Sequence, residues 1–114
     1  MVFEYKINNS NEIPVIEMTG ELIDRKQADN LIAEIDKQIA DGKSKFVLDM
    51  SQLKYINSSG LSVLIILLTK ARKNDGDIAI SNVTQKVKEL LVITKLNSVF
   101  AVTKDVESAI NKLK

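Results

Sequence analysis

The chain contains no cysteine, no histidine and no tryptophan among its 114 residues, and only one proline. Absent cysteine excludes disulfides and thiol nucleophiles, and absent histidine excludes every Ser-His or Cys-His catalytic arrangement and most transition-metal sites. No metal and no cofactor is therefore expected. A Gly-x-Ser-x-Gly elbow, a Walker-type Gly-Lys-Ser/Thr loop and a Gly-x-Gly-x-x-Gly turn are also lacking, so hydrolase, nucleotide-hydrolysing and dinucleotide-binding chemistry has no local foundation. Sixteen basic residues against fifteen acidic ones leave a formal charge of +1. No stretch concentrates enough Lys and Arg to follow a phosphate backbone, and nucleic acid is not an expected partner. The first residues, Met1 to Ile7, lack the basic start, apolar centre and cleavage site of a secretory signal. The longest apolar run, Val63 to Leu68, falls far short of the roughly 18 residues that suggest a membrane span. Both observations predict a cytoplasmic protein with no membrane partner.

What the chain does have is 45% hydrophobic and 27% charged residues, enough to bury a core as one compact domain over 1–114. Phe3, Tyr5 and Ile7 alternate, Asn8 to Asn11 carry turn chemistry, and Ile13 to Met18 resume an extended pattern, which predicts an opening hairpin. Pro14 cannot donate to a ladder and marks either a sheet edge or a strand start. Asp24 followed by Gln27 has the spacing of a capping box, and Leu31, Ile32, Ile35 and Ile39 repeat at helical spacing to about Ala40. Asp41-Gly42 closes that helix. Phe46-Val47-Leu48 reads as a strand buried on both faces.

An apolar helix is expected from Ser59, with Leu61 and Val63 to Leu68 covering nearly its whole circumference. Lys70, Arg72 and Lys73 then suit the negative end of its dipole as a solvated terminus. Asn74-Asp75-Gly76 is a turn and Ile78 to Ile80 a short strand. Thr84 caps a third helix carrying Val87, Leu90, Leu91 and Ile93, and Val99 to Val102 form the last strand. Asp105 opens a closing helix whose inner side carries Val106, Ala109, Ile110 and Leu113. The fold class is α/β: a mixed sheet of about five strands with about four helices, a hairpin followed by alternating β-α units. In open sheets of this kind sites gather where strands hand over to helices. The connection from Met50 to Leu61 is such a place.

That connection holds Tyr55-Ile56-Asn57-Ser58-Ser59-Gly60-Leu61, which brings two hydroxyls and an amide to a helix mouth. Unpaired N–H groups and the partial positive charge of a helix start favour an oxygen-rich group there, including an added phosphate. The plainer reading makes Ser58 and Ser59 helix caps. Asp24 is open in the same way between a cap and a contact. Asp49 has no clustered carboxylate or histidine near it in sequence and suits a hydrogen-bonding role at a strand end, while Met18 and Met50 suit the core.

These stretches together resemble the STAS domain, the family of bacterial anti-sigma factor antagonists. The likeness is carried by Thr19-Gly20-Glu21-Leu22, by Phe46 to Ser51, above all by Tyr55 to Leu64, and by Leu91 to Leu96 leading into Val99-Phe100. It spans nearly the entire chain. The resemblance implies a protein that binds rather than catalyses: unmodified, such a domain holds an anti-sigma factor with serine-kinase activity and frees a sigma factor. Phosphorylated, it lets go, and a serine phosphatase resets it. The phosphorylated residue of the family matches Ser58, and the implied partner surface comprises Asp24, Asn57, Ser58, Ser59 and Leu61, on a monomer or weak dimer. A STAS scaffold or small-ligand regulatory module working without phosphorylation is the alternative. This chain departs from the family pattern at three places: Asn57 where phosphorylated members usually carry Asp, Ile23 inserted ahead of Asp24, and Lys95 where Gly is frequent.

Overall fold

The computed structural model describes residues 2–9 and 12–114. Five strands, β1 (Phe3–Asn8), β2 (Val15–Leu22), β3 (Lys45–Ile56), β4 (Asp77–Ser81) and β5 (Ala101–Thr103), form one sheet in that spatial order. β1 runs antiparallel to β2, and the remaining pairs are parallel. Four helices complete the α/β alternation: α1 (Asp29–Ala40), α2 (Ser58–Lys73), α3 (Gln85–Ile93) and α4 (Val106–Leu113). The hairpin and the mixed sheet match the sequence expectation. The turn expected over Asn8 to Asn11 falls partly outside the described residues.

Leu31, Ile32 and Ile35 of α1, the apolar side of α2, and Val87 and Leu91 of α3 join Ile16, Met18, Leu22, Phe46 and Leu48 in one core. Ala109 and Leu113 of α4 close a smaller cluster on the opposite face over Val15, Val47 and Ala79. That two-sided cover explains why Phe46, Val47 and Leu48 are consecutive and all buried. Pro14 precedes β2, which is an interior strand, so the strand-start reading holds and the edge reading does not. Its carbonyl still accepts the Val47 N–H at 3.0 Å.

Several boundaries differ from expectation for identifiable reasons. The supposed loop after Met50 is the second half of β3. Its buried residues, Met50, Leu53 and Ile56, recur every third position because the pairing with β2 shifts twice, between Glu17 and Thr19 and between Gly20 and Glu21. A bulge moves one extra residue past its partner and breaks the period of two that betrays a strand. Asp24 caps a 3-10 turn over Arg25–Ala28 rather than α1 directly. Ile93 is 78% exposed instead of facing inward. The last strand begins at Ala101, because Leu96–Ser98 form a 3-10 turn entered through Lys95 in the left-handed region at φ 63°. Only glycine adopts that conformation without steric penalty; a lysine costs about 1 kcal/mol.

The basic end of α2 does more than meet the dipole. Lys70 pairs with Asp36 of α1 at 3.0 Å, and Arg72 pairs with Asp77 at 3.2 Å while donating to the Val99 carbonyl at 2.8 Å. Asp49 accepts from Ser51 N–H at 3.0 Å and from the Asn82 side-chain amide at 3.2 Å, the hydrogen-bonding role expected of it, but within β3 and not at a strand end, because β3 continues to Ile56.

Thr84 and Asp105 cap α3 and α4 as expected, accepting from Val87 N–H at 3.3 Å and Ser108 N–H at 2.8 Å. The bonds to Ser108 hold the Asp105 carboxyl below the usual carboxylate range. A lowered folded pKa contributes stability that is present above the ordinary aspartate value of about 3.9 and lost as pH falls through the folded value. Replacing Asp105 by Asn should lower the melting temperature near neutral pH. The gap to the parent protein should close as thermal melts are taken down to about pH 2.

Candidate functional site

β2 and β3 run side by side to Leu22 and Ile56, which are paired in register, and both chains then turn away into helical structure. The β2–α1 turn and the start of α2 therefore emerge together. Gly60 lies between them. A Cβ at that position would run into the Leu22 carbonyl and the Ile56 side chain, so only glycine lets the first turn of α2 sit this close to the end of β2.

Asn57 joins the two segments through four hydrogen bonds. Its backbone N–H donates to Leu22 O at 3.3 Å and its carbonyl accepts from Leu61 N–H at 2.9 Å. The side-chain Oδ1 accepts from Gly60 N–H at 3.0 Å, and Nδ2 donates to Ile23 O at 3.1 Å. The partners fix the orientation of the amide, since a peptide N–H must face oxygen and a carbonyl must face N–H. Asn57 is thus the N-cap of α2, in extended geometry at φ −113° and ψ −170°. Neither serine caps the helix. Ser58 and Ser59 occupy its first two positions with exposed side chains.

The two segments meet in one side-chain bond. Ile23 presents the carbonyl, and Asn57 supplies the N–H that an ionised carboxylate lacks. On the other side of the same turn the expected capping box is present. Asp24 accepts from Lys26 N–H at 3.1 Å, while Gln27 Oε1 accepts from Ile23 N–H at 2.9 Å and Asp24 N–H at 3.0 Å. Ile23 is held from both its N–H and its carbonyl, and its side chain is left 39% exposed beside the exposed Asp24.

Of the residues expected to form a partner surface, Asp24, Ser58 and Ser59 lie exposed and Asn57 half-buried between them. Leu61 does not belong with them. It is 5% exposed and joins the core with Leu64 and Leu68, one and two helical turns on, so it anchors the helix mouth from beneath. Sequence reasoning passed over Ile23 and Tyr55, exposed at 39% and 42% and flanking the two segments. Ile23 comes directly after buried Leu22 at the end of β2, and Tyr55 directly before buried Ile56 at the end of β3. The first turn of α2 carries no acidic residue, so only the helix's own partial positive charge acts on a group at Ser58 from within that turn. Ser62, one turn along, donates its hydroxyl to the Ser58 carbonyl at 3.1 Å. Among the described residues no group of three or more His, Cys, Asp and Glu could hold a metal ion, and no helix is long and apolar enough to cross a membrane.

The family model for the STAS domain matches residues 4–109. BtrV of Bordetella bronchiseptica, provisionally named an anti-sigma factor antagonist, is 30% identical over 88 residues, covering 77% of this chain and 76% of that one. The chain belongs to the STAS family. Among solved structures, an anti-sigma factor antagonist from Mycobacterium paratuberculosis superposes with a TM-score of 0.81 at 21% identity, covering 97% of this chain and 93% of the other. SpoIIAA of Bacillus in its phosphorylated form superposes with a TM-score of 0.74 at 18% identity over 97% of this chain and all of that one, 100%. At those identities the superpositions establish the shared fold.

The double attachment of Asn57 separates it from a simple cap. Asn57→Asp preserves an oxygen for Gly60 N–H yet sets a carboxylate against the Ile23 carbonyl. It should lower stability to urea unfolding by about 1–2 kcal/mol, although Asp is as good an N-cap as Asn in isolation. Equal or greater stability would show that the bond to Ile23 contributes nothing.

Proposed function

We propose that this protein is an anti-sigma factor antagonist: it docks to an anti-sigma factor with serine-kinase activity, releases a sigma factor, and is switched off by phosphorylation of Ser58. The observation that carries the reading is an exposed hydroxyl at the first position of α2, on a surface that Asn57 holds rigid, in a STAS chain whose relative bears an antagonist's name. Asp24, Asn57 and Ser59 complete the docking face around Ser58, and a serine phosphatase would reverse the modification. The protein acts by being bound and modified, and its own residues offer Ser58 no general base.

A phosphate adds roughly −1.5 to −2 charges and three acceptor oxygens. At a helix start it is stabilised by about 0.3–2 kcal/mol, so the fold has no reason to yield. A docked partner meets the same dianion differently. Inside a packed interface it must be desolvated, and against an acidic group it is repelled by several kcal/mol. Since about 1.4 kcal/mol is a factor of ten, a penalty of roughly 3–4 kcal/mol lowers affinity by two to three orders of magnitude. That difference is enough to release a sigma factor's captor or to hold it.

Asn57 favours a second reading, a STAS scaffold or regulatory module that works unphosphorylated, because a kinase that reads a carboxylate before the serine would find an amide. Incubation with a candidate anti-sigma kinase and ATP followed by intact-mass measurement separates the two. The switch predicts one added phosphate, lost in Ser58→Ala, and a partner affinity for the phosphorylated form about 100- to 1,000-fold weaker. No added phosphate across plausible kinases, together with unchanged partner affinity for Ser58→Glu, would reject the switch in favour of the scaffold.

A further inference from the structure

A concave feature lies away from Ser58, at the carboxyl ends of β4 and β5. It is a cleft of about 550 Å³ between α3 and the connection from β5 to α4, at the end of a parallel sheet where small ligands characteristically bind and within the size range of small-molecule pockets. Lys88 reaches it from α3 and Lys104 from the β5–α4 connection, and no residue lining it is acidic. Neither lysine forms an ion pair among the described residues. Asp105, the next residue, feels the Lys104 charge, and its carboxylate is engaged at Ser108 N–H at 2.8 Å. Glu89 lines an adjoining shallow depression that shares Gln85, Lys88 and Val92 with the cleft, and it accepts from the Gln85 amide at 3.3 Å.

The rest of the lining is of two kinds. Val83 and Val102 make an apolar floor over the fully buried Leu91, Val92 stands 52% exposed at the rim, and Asn82, Gln85 and Asn97 contribute amides to the lining. The walls are set in advance. Asn82 adopts the left-handed region at φ 56° and is held there by its amide bond to Asp49 at 3.2 Å. The Thr103 hydroxyl donates between Ile80 O and Asp105 O, each at 3.1 Å. A preformed cleft loses little entropy on binding.

Two cations from different elements, neither held in an ion pair among the described residues, over an apolar floor select a particular chemistry. A bare inorganic ion would satisfy the charge and leave the floor wet, and a neutral apolar molecule would leave the lysines unanswered. We propose that this cleft binds a small organic anion, a single phosphate or carboxylate carried on an apolar or aromatic body. None of its lining residues belongs to the Ser58 surface, so the site stands or falls apart from the phosphorylation switch.

The test is an NMR titration of the ¹⁵N-labelled chain with phenyl phosphate, benzoate, inorganic phosphate and phenol. Saturable shifts centred on the amides of Asn82, Lys88 and Lys104 are expected with phenyl phosphate or benzoate, and the stronger of the two identifies the headgroup. Inorganic phosphate and phenol should bind at least about tenfold more weakly, each lacking one half of the recognition. The double variant Lys88→Gln, Lys104→Gln should keep a dispersed spectrum and lose about tenfold or more in affinity for the anion that binds. The proposal is overturned if no probe gives saturable shifts there, if phenol or inorganic phosphate binds as well as the organic anions, or if the double variant retains the parent affinity.

Discussion

One side chain has to do two jobs at the same point. The start of α2 leaves backbone N–H groups without partners, and the turn after β2 leaves the Ile23 carbonyl facing that helix. An amide is the small group that can accept from one and donate to the other, and Asn57 does both, at 3.0 and 3.1 Å. The geometry of Ser58 follows, because the residue after the cap inherits its position from the cap. The close approach at Gly60 and the buried Leu61 below it hold the same corner from two further sides.

This arrangement also ties the residue at position 57 to the turn that carries Ile23. The Ile23 carbonyl faces the start of α2, and an aspartate at position 57 would meet that carbonyl with another oxygen. Partner recognition then has a mixed surface to work with: exposed Ser58 and Ser59, the Asp24 carboxylate, and the apolar edges of Ile23 and Tyr55.

Much of this was legible in the sequence because local and global signals agree. The alternation of Phe3, Tyr5 and Ile7, the Asp24 and Gln27 capping box, the capping residues Thr84 and Asp105, and the triple Phe46-Val47-Leu48 each have one simple structural meaning, and each has it in the fold. The second half of β3 was hidden because two bulges turn its burial period from two to three. The motif offers Ser58 and Ser59 as caps as readily as Asn57, since Asn and Ser cap equally well; the fold around Ile23 selects Asn57. Leu61 was drawn into the partner surface by its neighbours in the motif, although its spacing with Leu64 and Leu68 already placed it on the inner stripe. Ile93 misled in the opposite direction, an apolar residue at the last position of α3 where the helix face has rotated toward solvent.

Native-state hydrogen exchange on Asn57→Ala tests most directly whether one amide holds both segments. Protection of Gly60 N–H should fall together with that of Ile23, Asp24 and Lys26 in the β2–α1 turn, while the later turns of α2 keep theirs. If Gly60 alone loses protection and the turn exchanges as in the parent protein, Asn57 is an ordinary helix cap, and the joined surface around Ser58 does not exist.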